Sequence, residues 1–162
     1  MIHRRPTPED IAHVFTNLRE PNRRELFAQR FNDDVGELIQ DVIALSANSH
    51  FRQVLCAPDG EPVTFLDIQL RSPFVGSATM VSTPLFEKHL VSLCRFIDRQ
   101  VFPKVIEPGW ARLQCIGLPE SRRIMRFFGF RFETPLFNAG RNGEELSQYA
   151  WMNPDFNYHE RT

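Results

Sequence analysis

Apolar residues recur along this chain at helical spacing first and then in short strand-like runs. Ile11, Val14, Phe15 and Leu18 make one apolar stripe. Just upstream, Thr7-Pro8-Glu9-Asp10 reads as a helix start. Thr7 can cap, Pro8 suits the first helical position, and Asp10 completes a capping box. Pro21 is expected to end this helix. From Asn22 a longer helical region is predicted, with Arg23, Arg24 and Glu25 as its polar start and Leu26, Phe27 and Phe31 as apolar contacts. Gly36 is expected to interrupt it before a second apolar set at Leu38, Ile39, Val42, Ile43 and Leu45.

A hairpin signature follows. Phe51–Ala57 reads as a strand, Asp59-Gly60 as a favoured tight-turn pair, and Val63–Leu70 as the returning strand. Ser72-Pro73 breaks that strand and Val75–Ser82 starts another. Thr83-Pro84 then opens a helix whose apolar positions are Phe86, Leu90, Leu93, Ile97 and Val101, with Pro103 expected to kink or end it. Ala111–Gly117 reads as a strand buried on both faces. Glu120–Phe128 is predicted as a short basic helix stopped by Gly129, and Phe130–Phe137 and Leu146–Met152 as the last strands, joined by a loop over Asn138–Glu145. With Met1–Arg5 as a short first strand, the predicted order is β-α-α-β-β-β-α-β-α-β-β, a mixed α/β sheet with helices on both faces. One domain over residues 1–152 and a polar tail over 153–162 are expected.

Composition narrows the function classes. Nineteen Lys+Arg nearly balance 20 Asp+Glu, for a net charge of −1, whereas a dedicated nucleic-acid binder carries a basic excess. Nucleic acid is therefore disfavoured as a partner. Three widely spaced cysteines, Cys56, Cys94 and Cys115, read as thiols of a reducing compartment. No apolar run approaches the roughly 18 residues of a membrane span, and the first residues lack an apolar signal core. A cytoplasmic setting without a membrane partner is expected. Phe is abundant at 15 against two Tyr.

The element order is similar to the GNAT acetyltransferase fold, and Arg126-Phe127-Phe128-Gly129-Phe130 resembles its late helix–turn–strand. The resemblance implies a mostly antiparallel central sheet of about six or seven strands. Four stretches also resemble a small family of tailed-phage proteins related to the gene-13 internal virion protein of short-tailed phages. These are Leu18–Glu25, Asp59–Val63, Ala78–Thr83 with the long helix after it, and Glu120–Phe130.

A working enzyme of the GNAT type would hold the acetyl-CoA pyrophosphate at the start of the long helix, in a glycine-rich loop whose N–H groups face the phosphates. Here Val81, Ser82, Thr83, Pro84, Leu85 and Phe86 occupy that place, and no glycine occurs between Gly76 and Gly109. Pro84 also removes one N–H. The resemblance places a general-acid Tyr four residues before the helix-ending Gly, where this chain has Met125. Tyr149 and Tyr158 fall in the last strand and the tail. These six residues are accordingly expected to be a vestigial acetyl-CoA region, with no cofactor and no catalytic residue. Phe86 and Met125 are expected to help fill the cleft. Asp67 or Glu61 on the hairpin is a conceivable general base, but both are expected to be solvent-facing strand residues.

No metal site is expected from the five scattered histidines, since none pairs with Cys or carboxylate at ligand spacing. Arg122, Arg123 and Arg126, with Arg131 nearby, form the one concentrated basic patch. The tail contributes two aromatics, Phe156 and Tyr158, which either fray or order against a neighbour. These five residues, the three helix arginines and the two tail aromatics, are the candidate partner-binding set. The expected function is that of a phage GNAT-fold protein that has lost acetyl-CoA chemistry. It would act as a virion-associated or assembly factor, through contacts with phage or host proteins or as an oligomer. Its expected places are the host cytoplasm during assembly and the virion. An active divergent N-acetyltransferase using acetyl-CoA and a host-interaction protein are the alternatives.

Overall fold

A computed structural model describes residues 1–106 and 109–157. Its strands are β1 (Ile2–Arg4), β2 (Ser49–Cys56), β3 (Pro62–Ser72), β4 (Val75–Ser82), β5 (Arg112–Gly117), β6 (Arg131–Leu136) and β7 (Leu146–Met152). They form one 7-stranded sheet in the order β1-β2-β3-β4-β5-β7-β6. Every neighbouring pair is antiparallel except β4 with β5. That parallel pair needs a long crossover, because a tight turn cannot join parallel neighbours. Helices α4 (Phe86–Phe96) and α5 (Phe102–Ile106) supply it, linked by a π-helical turn over Ile97–Val101. Helices α1 (Pro8–Thr16), α2 (Glu20–Ala28) and α3 (Val35–Ala44) come before β2, and α6 (Arg122–Phe127) lies between β5 and β6. The sheet is the mixed, mostly antiparallel one that the sequence implies.

Helix α1 starts as expected. Thr7 Oγ1 accepts the Asp10 N–H at 3.3 Å and Asp10 Oδ2 accepts the Thr7 N–H at 3.0 Å. Ile11, Val14 and Phe15 are buried. Several proline and glycine expectations are corrected. Helix α1 stops at Thr16, and Pro21 stands in the first turn of α2, where a missing N–H leaves no hydrogen bond unmade. The single long helical region is two helices. Gly36 lies in the first turn of α3, and Asp34 caps that helix by accepting the Glu37 N–H at 3.0 Å. Pro103 likewise sits in the first turn of α5 and does not end the crossover. Strand β5 is buried on one face only: Leu113 and Cys115 are covered, whereas Ile116 is exposed.

Two apolar clusters cover the two faces of the sheet. One joins Ile11, Phe15, Phe27 and Leu38 to Val54, Phe65 and Val81. The other joins Phe86, Leu93, Ile97 and Val101 to Leu66, Ile68, Leu113 and Tyr149. Each fully buried Leu, Ile or Phe among these is worth about 1.5–3 kcal/mol. Asp67 is not the solvent-facing residue expected. It is buried, and both its oxygens accept from Arg52, Oδ1 from Nε at 3.1 Å and Oδ2 from Nη2 at 3.0 Å. Arg52 Nη1 also donates to the Val42 carbonyl at 2.9 Å. The pair braces β2 and β3 against α3, which is a structural task. Glu61 is exposed in the hairpin, 3.8 Å from His13 Nε2.

Candidate functional site

Strands β4 and β5 pair only over Val75–Ser77 with Arg112–Gln114. Beyond Ser77 the two strands run on without pairing, β4 to Ser82 and β5 to Gly117. The carboxyl ends of diverging parallel strands are where open α/β sheets leave a crevice. A cavity of about 290 Å³ opens there. Leu66, Ile68, Leu113, Met125 and Phe128 make much of its wall, and Glu25 reaches it from α2. The π-helical turn contributes Ile97 and Val101.

Glu25 is the chemically distinctive group of this cleft. Burial pushes its carboxyl up from 4.5 to about 7. Hydrogen bonds from the Ser121 hydroxyl, at 3.2 Å to Oε2, and from the Leu118 backbone pull the other way, as does the charge of Arg19. The carboxylate lies against the bare backbone of Gly117, where a Cβ would stand 3.1 Å from Oε1. Cys115, also lining the cleft, is driven up to about 12 by burial, with Glu25 adding to the shift. Its thiol is inert as a nucleophile at neutral pH. Tyr149 is fully buried and raised by burial, and its hydroxyl donates to the Leu118 carbonyl at 3.1 Å. A carboxyl that titrates near 7 can exchange a proton at neutral pH, and Glu25 is the group here with that property.

Three backbone N–H groups of the turn between β4 and α4 are bonded within the chain. Asn22 Oδ1 accepts the Ser82 N–H at 3.0 Å, the Val63 carbonyl accepts the Thr83 N–H at 2.9 Å, and the Thr83 carbonyl accepts the Phe86 N–H at 3.1 Å. The Ser82 carbonyl accepts the Arg19 N–H at 2.9 Å. Arg19 lies over the Phe86 ring at 4.0 Å and pairs with Glu87 at 3.1 Å.

No family model matches the chain, and no curated protein matches it. Solved structures do. An acetyltransferase of the GNAT superfamily from Sinorhizobium meliloti, a phosphinothricin acetyltransferase in complex with AcCoA, superposes with a TM-score of 0.71 at 11% identity, covering 99% of this chain and 92% of its own. A ribosomal-protein-alanine N-acetyltransferase from Brucella melitensis gives 0.70 at 13%, covering 94% and 100%. A spermidine N-acetyltransferase from Vibrio cholerae gives 0.69 at 11%, covering 94% and 95%. The chain has a GNAT acetyltransferase fold.

In a GNAT fold the start of α4 is the place for the acetyl-CoA pyrophosphate, and the residues present do not fit it. The N–H groups of Ser82, Thr83 and Phe86 are already engaged within the chain, and Pro84 has none. The carboxylate of Glu87 stands in the first turn of α4. An anion there would have to displace internal bonds to reach these three donors. Val81 lines the cleft, Ser82, Thr83 and Phe86 are buried, Leu85 is half-buried and Pro84 is exposed. Thr83 does not cap the helix. The residue before α4 is Leu85, which makes no side-chain cap, and Thr83 Oγ1 is buried without a hydrogen-bond partner.

Of the two side chains expected in the cleft, Met125 lines it, whereas Phe86 packs beside it with its ring centroid 6.4 Å from that of Phe128. Arg122, Arg123 and Arg126 are exposed on α6. Phe156 rests against Phe74 at 5.7 Å, and Asn153 holds that end of the chain by donating from Nδ2 to the Trp110 carbonyl at 2.8 Å. Tyr158 lies outside the described residues. No group of three or more metal-ligating side chains comes together among the described residues, and none of their helices is long and apolar enough to cross a membrane. Sequence reading passed over Glu25 as part of a polar helix start. Its distinction comes from burial against β5 and α6, beside Ser121 96 residues away in the chain, which no local pattern shows.

Proposed function

We propose that this chain uses the GNAT fold as a binding scaffold and not as an acetyl-CoA-dependent enzyme. The observation that carries the reading is the turn at Ser82–Phe86, where Pro84 has no N–H and the N–H groups of Ser82, Thr83 and Phe86 are spent on Asn22, Val63 and Thr83. The same observation supports reading Val81–Phe86 as a vestigial acetyl-CoA region without a cofactor. The sequence resemblance supports the setting: a tailed-phage protein, virion-associated or active in assembly, working through contacts with phage or host proteins in the host cytoplasm.

Two measurements test this. Isothermal titration with acetyl-CoA up to millimolar concentration should give no heat above dilution, and the melting temperature should not rise. Mass spectrometry of purified particles tests the virion role, since a virion-associated protein must be found in them.

One observation favours a second reading, an active divergent N-acetyltransferase. The cleft is open, and Glu25 titrates near neutral pH inside it. Release of free thiol from acetyl-CoA in the presence of a panel of amines, lost in Glu25→Gln, would establish that reading and overturn the first.

A further inference from the structure

Helix α6 has two unlike sides. Met125 and Phe128 face the cleft, whereas Arg122, Arg123, Arg126 and Phe127 are exposed. Strand β6 continues this outer surface with Phe132, whereas Arg131, one residue earlier in the strand, points to the opposite face of the sheet. Arg122 lies 4.8 Å above the Phe132 ring, so cation and ring are interleaved. The acidic neighbours that would neutralise the patch are engaged elsewhere. Glu120 pairs with Arg24 at 2.9 Å, and Glu133 pairs with Arg112 at 2.6 Å and accepts from Gln148 at 2.9 Å. Among the described residues none of Arg122, Arg123 and Arg126 has a carboxylate partner.

We propose that this face of α6 and β6 docks an acidic protein segment carrying apolar side chains. The claim rests on the binding-scaffold reading and adds where the partner sits and what its chemistry is. Three unneutralised cations, Arg122, Arg123 and Arg126, beside the exposed rings of Phe127 and Phe132 complement alternating carboxylates and apolar groups. A nucleic acid fits less well, because the whole chain carries a net charge of −1 and gives no long-range attraction to a polyanion. The partner does not extend the sheet. β6 is an edge strand, but a register shift between Phe132 and Thr134 and the proline at 135 interrupt its ladder. Contact is therefore made by side chains.

The test uses the whole chain and a fluorescein-labelled 12-residue peptide alternating Glu or Asp with Phe or Leu, with a 12-nucleotide oligothymidylate as rival. Fluorescence anisotropy at about 0.15 M salt should show tighter binding of the peptide than of the oligonucleotide. Arg122→Glu, Arg123→Glu and Arg126→Glu together should weaken peptide binding at least about ten-fold. If that variant unfolds, the Arg→Gln triple should weaken it several-fold at an unchanged melting temperature. Phe127→Ala should weaken binding with an unchanged salt dependence. Oligothymidylate binding more tightly, no peptide binding, or peptide binding unaltered by the folded triple variant would each overturn the proposal. Acetyl-CoA turnover would overturn the scaffold reading and leave these binding results untouched, so the two failures are distinguishable.

Discussion

Asn22 Oδ1 accepts the Ser82 backbone N–H at 3.0 Å, joining α2 to the end of β4 across 60 residues of sequence. The same oxygen accepts from Arg19 Nε at 2.9 Å. One side-chain amide thus consumes a donor that a bound anion at the start of α4 would need. Asn22→Ala strands the buried Ser82 N–H and should cost about 1–3 kcal/mol in urea unfolding. Asn22→Asp keeps an acceptor and should cost less.

Glu25 makes stability depend on pH in a stated direction. Its carboxyl titrates near 7 in the folded chain against 4.5 ordinarily. Between these values the native state holds a proton that the unfolded state has released, so stability falls as pH rises. The loss begins above about pH 4.5 and is complete once pH passes about 7; with partial solvent access it amounts to about 2 kcal/mol. Urea unfolding from pH 5 to pH 8 should show this decline. In Glu25→Gln it should flatten.

Asp67 and Arg52 are buried together, so removing one strands the other. Asp67→Ala should cost about 3–5 kcal/mol. Replacing both by Leu and Met should recover much of that loss. Equal losses in the single and double variants would show that the guanidinium is not what suffers.

Ser82 and Thr83 should respond differently to alanine. The Ser82 hydroxyl is 2.9 Å from that of Thr64, and truncation leaves a buried hydroxyl alone, a loss of about 1 kcal/mol. Thr83 Oγ1 has no partner to lose. Its hydroxyl contributes little, and Thr83→Val should be neutral or stabilising by melting temperature.

Much of the fold was legible in the sequence because its signals are local. The Thr7–Asp10 capping box, the Asp59-Gly60 turn with Gly60 at φ 93°, and β4 and β7 at their expected bounds all depend on residues a few positions apart. Pro21 and Pro103 were misread for a physical reason. A proline is compatible with the first turn of a helix as well as with the end of one, and the neighbouring residues do not separate the two. The candidate site was half legible. The lack of glycine and the presence of Pro84 are sequence facts. The engagement of the Ser82 and Thr83 donors by Asn22 and Val63 is not.

By itself the sequence determined the strands and their order and the helical stretches between them, because hydrophobic period and capping chemistry act over one or two turns; it did not divide the stretch after Asn22 into α2 and α3. Only the tertiary structure decided that Asp67 is buried against Arg52, that Glu25 is lifted to near neutral pH beside Ser121, and that α2 closes the turn before α4. Each of these is set by desolvation and by partners brought together from distant parts of the chain.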